Sequence, residues 1–128
     1  MIKKILITVL VLLPQLAISG MVVIKNVALQ SYNNSWTFNV TLQHADTGWE
    51  HYADEWRIVD AKGAVLGSRT LYHPHVNEQP FTRSLSSVKI PAATKIIFVE
   101  AHDKVHGWSK DKVRIDLGKA KAKRYQIK

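Results

Sequence analysis

Residues 36–43 alternate between apolar and polar side chains, and this alternation constrains the fold more than any other feature. Trp36, Phe38, Val40 and Leu42 take one parity, while threonine, asparagine and glutamine take the other. Successive side chains of a β-strand point to opposite faces of a sheet, so a period of two predicts a strand with one buried face. No stretch of useful length has the 3.6-residue period of an amphipathic helix. The fold is therefore predicted to be all-β.

Further segments have strand character and are separated by short clusters of turn-forming residues. They run over residues 22–30, 53–60, 65–72, 82–90, 95–102 and 112–117. Together with residues 36–43 they predict a seven-stranded antiparallel β-sandwich. Trp56 on the third strand favours an immunoglobulin-like or fibronectin III-like arrangement. A seven-stranded barrel is the alternative architecture.

Residues 1–20 have the pattern of a signal peptide. A positive start precedes an apolar centre, and Ala17 and Ser19 place small residues where a signal peptidase reads them. Pro14 and Gln15 interrupt the apolar run, which is shorter than the ~20 residues of a membrane-spanning helix. We therefore expect export over a retained anchor, with cleavage after Ser19 or the next residue. The expected location is periplasmic or secreted, with no transmembrane segment in the mature chain.

Cleavage would leave residues 21–118 as the sandwich domain and residues 119–128 as a basic C-terminal tail. The formal net charge of the whole chain is +8. Two of the 18 lysines and arginines lie in the leader and five in the tail. The rest of the chain therefore has 11 basic residues and 10 acidic residues. The body is thus nearly neutral, and we expect no nucleic-acid partner. Such a tail is usually solvated, although it could also touch an anionic surface.

The six histidines fall in alternate connections between the predicted strands. Alternate connections of an up-and-down sandwich lie at the same end, so all the histidines are expected at one end, which we call the histidine pole. Acidic residues and two tryptophans fall in the same connections, whereas the intervening connections hold no histidine. The histidines are His44 and His51 in the second connection, His73 and His75 in the fourth, and His102 and His106 in the sixth.

Imidazole and carboxylate donors in this number are typical of a site for a divalent transition metal, with Cu(II) or Zn(II) expected. The chain has no cysteine, and methionine is scarce, so a Cu(I) site is disfavoured. The missing cysteine also leaves no disulfide or cysteine-linked lipid anchor to expect, and the core must hold the fold alone. A structural polar cluster that orders the loops is the alternative. The predicted metal ligands are His73, His75, His102 and His106, with His51 and Glu78 in reserve.

Enzymatic activity is not expected. No serine stands in a Gly-x-Ser-x-Gly turn, and a small mature domain has little room for a substrate cleft. The second functional hypothesis is a non-catalytic cell-envelope protein-interaction module that uses the same loops without metal. A third hypothesis is that the basic tail binds an anionic surface.

Three segments resemble a group of small, uncharacterised exported bacterial β-sandwich proteins. They read GWEHYADEWR from Gly48, HPHVNEQPFTRS from His73 and AHDKVHGW from Ala101. The resemblance covers about residues 48–108 and excludes the basic tail. It implies that the three loops act as one functional unit, and it implies no particular ligand.

Overall fold

Residues 20–128 are described by a computed structural model, and the described chain folds into nine β-strands. Residues 1–19, which hold almost all of the predicted signal peptide, lie outside the described part. Between residues 20 and 128 no helix has the length and apolarity to cross a membrane. The strands are β1 (Val23–Tyr32), β2 (Ser35–Gln43), β3 (Ala53–Asp60), β4 (Val65–Thr70), β5 (Phe81–Val88), β6 (Ile96–Asp103), β7 (Gly107–Asp116), β8 (Lys121–Ala122) and β9 (Tyr125–Ile127).

The strands form two sheets. One sheet has five strands in the order β5-β2-β1-β9-β8, and the other has four in the order β4-β3-β6-β7. Neighbouring strands run antiparallel, except that β9 runs parallel to β1. The all-β, two-sheet prediction is confirmed, whereas the described chain has nine strands instead of the seven predicted.

The core lies between the two sheets and follows the period-2 pattern of the sequence. On β2, Phe38, Val40 and Leu42 are fully buried, as their alternation with polar residues requires. Trp56 and Ile58 on β3 face them from the other sheet and are also fully buried. The core is therefore built mainly from the inward-facing apolar residues of the two sheets.

The segment predicted as a solvated basic tail is part of the sandwich. Residues 125–127 pair with β1, and the Tyr125 ring is buried in the core. Arg124 donates to the Asp111 carboxylate at 2.9 Å and to the backbone oxygen of Ile24 at 2.9 Å, which ties the segment to both sheets. The prediction failed because β8 and β9 are very short and the segment is rich in lysine. The two apolar residues Tyr125 and Ile127 are too few to show the alternation of a strand.

Candidate functional site

The six histidines lie at one end of the sandwich. The ends of β2, β4 and β6 and the starts of β3, β5 and β7 meet there, as the pairings of Leu42 with Phe81 and of Ala53 with Asp103 require. Three long or tightly folded loops connect these strands. The structure separates the histidines of this pole into three groups with different surroundings.

The first group surrounds a buried carboxylate and has the geometry closest to a metal site. His44, His51 and Asp103 each offer a donor atom, and these atoms all lie within 4.8 Å of one another. His106 completes the group, because its Nδ1 is 3.1 Å from Asp103 Oδ1 and its ring centroid is 5.0 Å from that of His51. We call these four residues the His–Asp centre.

Two atoms of the His–Asp centre are buried without a hydrogen-bond partner among the described residues. They are His51 Nε2 and Asp103 Oδ2. His51 Nε2 is 3.2 Å from Asp103 Oδ1, but this contact does not have the geometry of a hydrogen bond. A buried polar atom left unpaired costs about 1–3 kcal/mol. Both atoms are of the kind that a divalent cation binds, so the residues present fit a metal ion.

The local chain holds Asp103 in its charged form. Burial alone would raise the pKa of this carboxyl, but hydrogen bonds from the backbone N–H groups of His106 and Val105, together with the His106 side chain, hold the pKa below its ordinary value. The two backbone N–H groups donate to Oδ1 at 2.8 and 2.9 Å. This arrangement leaves Oδ2 as the free acceptor of a buried anion.

His44 is held by oxygen atoms on both sides of its ring. Its Nδ1 lies 2.5 Å from Asp46 Oδ1, and its Nε2 lies 2.7 Å from the carbonyl oxygen of Gly20. Asp46 also accepts hydrogen bonds from the backbone N–H groups of Ala53 and His75. His44 can therefore bind a metal through Nε2 only when that nitrogen leaves the Gly20 carbonyl.

The second group contains His73, His75 and Glu78, all of which had been predicted as ligands. The rings of the two histidines are 4.6 Å apart, and that of His75 stacks on Phe81 at 4.1 Å. His75 Nδ1 is 3.5 Å from the exposed Glu78 carboxylate, and its Nε2 is 3.4 Å from the Arg83 guanidinium. A cation beside Nε2 opposes the approach of a metal ion to that nitrogen.

The third group is built around His102, another predicted ligand. Its Nδ1 lies 2.5 Å from Asp54 Oδ1, and its ring meets the edge of Trp108 at 5.0 Å. Arg57 covers the Trp108 ring at 3.6 Å and forms an ion pair with Glu100. Burial would raise the pKa of Glu100, but Lys112 and Arg57 together hold that pKa below its ordinary value. This group has the contacts of a structural network.

The structure thus distributes the predicted ligands over three places. His51 and His106 lie in the His–Asp centre, His73, His75 and Glu78 in the second group, and His102 in the third. His44 and Asp103 belong to the centre but had not been predicted as ligands. The alternation of β6 could have identified Asp103 as an inward-facing residue. Val99, Ala101 and Asp103 lie on the same face of β6 and are all buried, whereas His102 points outward.

No family model matches the sequence. A protein of Halomicrobium mukohataei described as "Putative lipoprotein" is 37% identical over 94 residues, which make up 73% of this chain. Those residues correspond to 46% of that protein, so the chain spans about half the length of this relative.

The solved structure of the hypothetical protein PH1083 from Pyrococcus horikoshii OT3 is similar over 75% of this chain and 86% of that chain. The TM-score is 0.48 and the sequence identity is 12%. A similarity at this level supports no inference about fold type or function.

Proposed function

We propose that the protein binds one divalent transition metal ion, Cu(II) or Zn(II), at the His–Asp centre. One observation carries this proposal: among the described residues, His51 Nε2 and Asp103 Oδ2 are both buried without a hydrogen-bond partner, and the donor atoms of His44, His51 and Asp103 lie within 4.8 Å of one another. Neutral imidazole and carboxylate are the donors that these two ions share. The proposal uses His51 and His106 from the predicted ligands and adds His44 and Asp103.

The donor atoms of the His–Asp centre must move closer together when a metal ion binds. Bonds of about 2.0–2.1 Å in a tetrahedral site bring donor atoms to about 3.3 Å from one another. The donor atoms of His44, His51 and Asp103 span up to 4.8 Å, so the widest pair must close by about 1.5 Å. The His51 side chain is 19% exposed and has room to rotate toward the other donors.

The second and third groups have supporting roles in this proposal. The backbone N–H of His75 donates to Asp46, which in turn holds His44. His102 joins β3 to β6 through Asp54. His73, His75, His102 and Glu78 are then residues that shape the pole, and they do not bind the ion directly.

The protein is proposed to be non-catalytic and exported, to the periplasm or beyond. The leader-like pattern of residues 1–20 supports export, as does the description of the Halomicrobium relative as a lipoprotein. We also propose an immunoglobulin or fibronectin III type for the first seven strands. This is supported by the facing strand orders β5-β2-β1 and β4-β3-β6-β7 and by the buried Trp56 on the third strand.

A second candidate function is protein binding by the same pole without metal. Four large apolar side chains on its loops are exposed, namely Trp49, Tyr72, Val76 and Val105. Aromatic anchors on loops at one end of a sandwich are typical of recognition surfaces. A partner captured from cell envelopes by the wild type and retained after chelation would favour this candidate over the metal site.

A thermal melt tests the metal proposal. The domain is melted with a chelator and then with Zn(II), Cu(II) and Ni(II) in turn. A ligand that binds only the folded state stabilises it by about 2.7 kcal/mol at a hundredfold excess over its dissociation constant. The expected result is a saturable rise with Cu(II) or Zn(II).

Two variants decide where the ion binds. His51→Ala should lose the rise, and His73→Ala, a matched control on the exposed part of the second group, should keep it. Loss of the rise in His73→Ala but not in His51→Ala would move the site to the second group. No rise in the wild type with any of the ions would refute the metal proposal.

A further inference from the structure

We propose that the α-amino group of the mature chain, beginning at Gly20, is an additional ligand of the His–Asp centre. The site would then be complete only after the leader has been removed. This inference rests on the proposed metal-binding function and adds a ligand to it that no side chain supplies.

Gly20 lies against two histidines of the centre. Its carbonyl oxygen accepts a hydrogen bond from His44 Nε2 at 2.7 Å. A Cβ on this residue would lie 2.6 Å from His106 Cε1 and 3.1 Å from His106 Nε2. The backbone nitrogen is about 2.5 Å from that Cβ position by covalent geometry. The nitrogen of Gly20 is therefore within about 6 Å of His106 Nε2.

Glycine suits this position because it has no side chain. A Cβ here would overlap the His106 ring unless that ring moved. The backbone at Gly20 can approach the centre this closely only without a Cβ, as at other sites where a main chain meets a ligand.

Cleavage changes the chemistry of the Gly20 nitrogen. The small residues Ala17 and Ser19 favour cleavage of the Ser19–Gly20 bond. Hydrolysis of this bond consumes one water, leaves a carboxylate on Ser19 and leaves a primary ammonium on Gly20. The amide nitrogen of the precursor has no available lone pair, whereas the amine of the mature chain binds a metal once it has released a proton.

The new amine offers two donors from one residue. The amino nitrogen and the carbonyl oxygen of Gly20 can close a five-membered chelate ring on one ion. Binding the carbonyl to the ion would also free His44 Nε2, which that carbonyl otherwise occupies. The same rearrangement thus supplies a nitrogen from the terminus and a second one from His44, once Nε2 has released to solvent the proton that it donates to the carbonyl.

The test compares two forms of the protein that differ only at the N-terminus. One begins with Gly20, and the other keeps the native residues 17–19 in front of it, which displaces the amine by up to about 10 Å. Both contain all nine strands. Cu(II) affinity is measured by competition with a chelator, and nitrogen coordination is followed by electron paramagnetic resonance. Because a tethered donor acts at high effective concentration, the form that begins with Gly20 should bind about a hundredfold more tightly.

The outcomes separate this inference from the function on which it rests. Equal affinity and equal spectra of the two forms would overturn the terminal ligand and leave the His–Asp centre as the metal site. Failure of both forms to bind Cu(II) would overturn the metal site itself. The mass of the exported protein gives an independent check, since a mature chain that begins at any residue other than Gly20 would also overturn the inference.

Discussion

The buried Asp46 carboxylate accepts a hydrogen bond of 2.7 Å from the backbone N–H of His75, which connects two loops that are far apart in sequence. The other oxygen of the same carboxylate contacts His44 Nδ1 and the backbone N–H of Ala53. One side chain therefore joins the β2–β3 loop, the β4–β5 loop and the start of β3. Asp46 is thus a link between the loops that form the histidine pole.

Replacement of Asp46 should destabilise the protein strongly. Asp46→Ala removes one partner from a buried charged network, and we expect a loss of about 3–5 kcal/mol in the free energy of unfolding. Urea denaturation of the metal-free protein measures this loss. Glu50→Ala, in the same loop but exposed, is the control and should change stability by less than about 0.5 kcal/mol. Similar losses in the two variants would contradict the role of Asp46.

The C-terminal segment should matter for stability through its tyrosine and not through its lysines. Tyr125→Ala leaves a cavity between β9 and the core and should cost about 3–5 kcal/mol. The double variant Lys121→Gln/Lys123→Gln changes two exposed charges and should leave the melting temperature nearly unchanged. The lysine double variant also tests whether this segment binds an anionic surface, because it removes charge and keeps β8 and β9, which deletion of residues 119–128 would remove.

Asp103→Asn separates metal binding from loop structure. The asparagine amide keeps an oxygen that can accept hydrogen bonds from the backbone N–H groups of Val105 and His106. The conformation of the loop should therefore be unchanged. It removes the negative charge and the free carboxylate oxygen that a cation would bind. We expect the metal-dependent rise in melting temperature to disappear while the chelator-treated protein still melts cooperatively. Retention of the full rise in this variant would place the ion elsewhere.

The stability of the protein should fall in acid partly through Glu100. The pKa of Glu100 is held below its ordinary value of 4.5 because Lys112 and Arg57 outweigh the opposing effect of burial. Its ion pairs therefore add stability that is fully present above pH 4.5 and is lost as the pH falls through the lower value in the folded protein. The free energy of unfolding should decline with pH in this acid range.

Glu100→Gln isolates this contribution. At pH 7 the variant should be less stable by about 1–3 kcal/mol, because the ion pairs with Arg57 and Lys112 lose their charge. The difference between wild type and variant should shrink as the pH is lowered below 4.5. A difference that stays constant over the acid range would mean that packing, and not charge, explains the effect.

Most of the fold could be predicted because β2 follows the period of a sheet throughout, and its neighbours β1 and β5 depart from that period only at register shifts. The grouping of the histidines at one end followed from the order of strands and loops alone. The short strands β8 and β9 could not be found in the same way, since two and three residues are too few to show a period. The position of β9 is determined by its pairing with β1 and by the burial of Tyr125 in the core. These are contacts between distant parts of the chain, which a local sequence pattern does not show.

The composition of the site was harder to predict than its location. Histidine content identified the pole, but which imidazoles meet depends on the direction of each side chain. A β-bulge between Glu100 and His102, opposite β7, and the outward direction of His102 separate it from His106 although both lie in the same hairpin. His44 could not be recognised because its partners Asp46 and Gly20 come together only through the loop fold.

The parallel pairing of Val27 with Tyr125 also constrains when the domain can form. The strand beside β1 follows it by almost a hundred residues, so that part of the sheet cannot close until Tyr125–Ile127 have been synthesised. A contact between such distant positions must be reached by a slow search through the unfolded chain. One edge of β1 therefore stays without its partner strand while the seven strands between them in sequence are being made, and β9 adds the last pairing of β1.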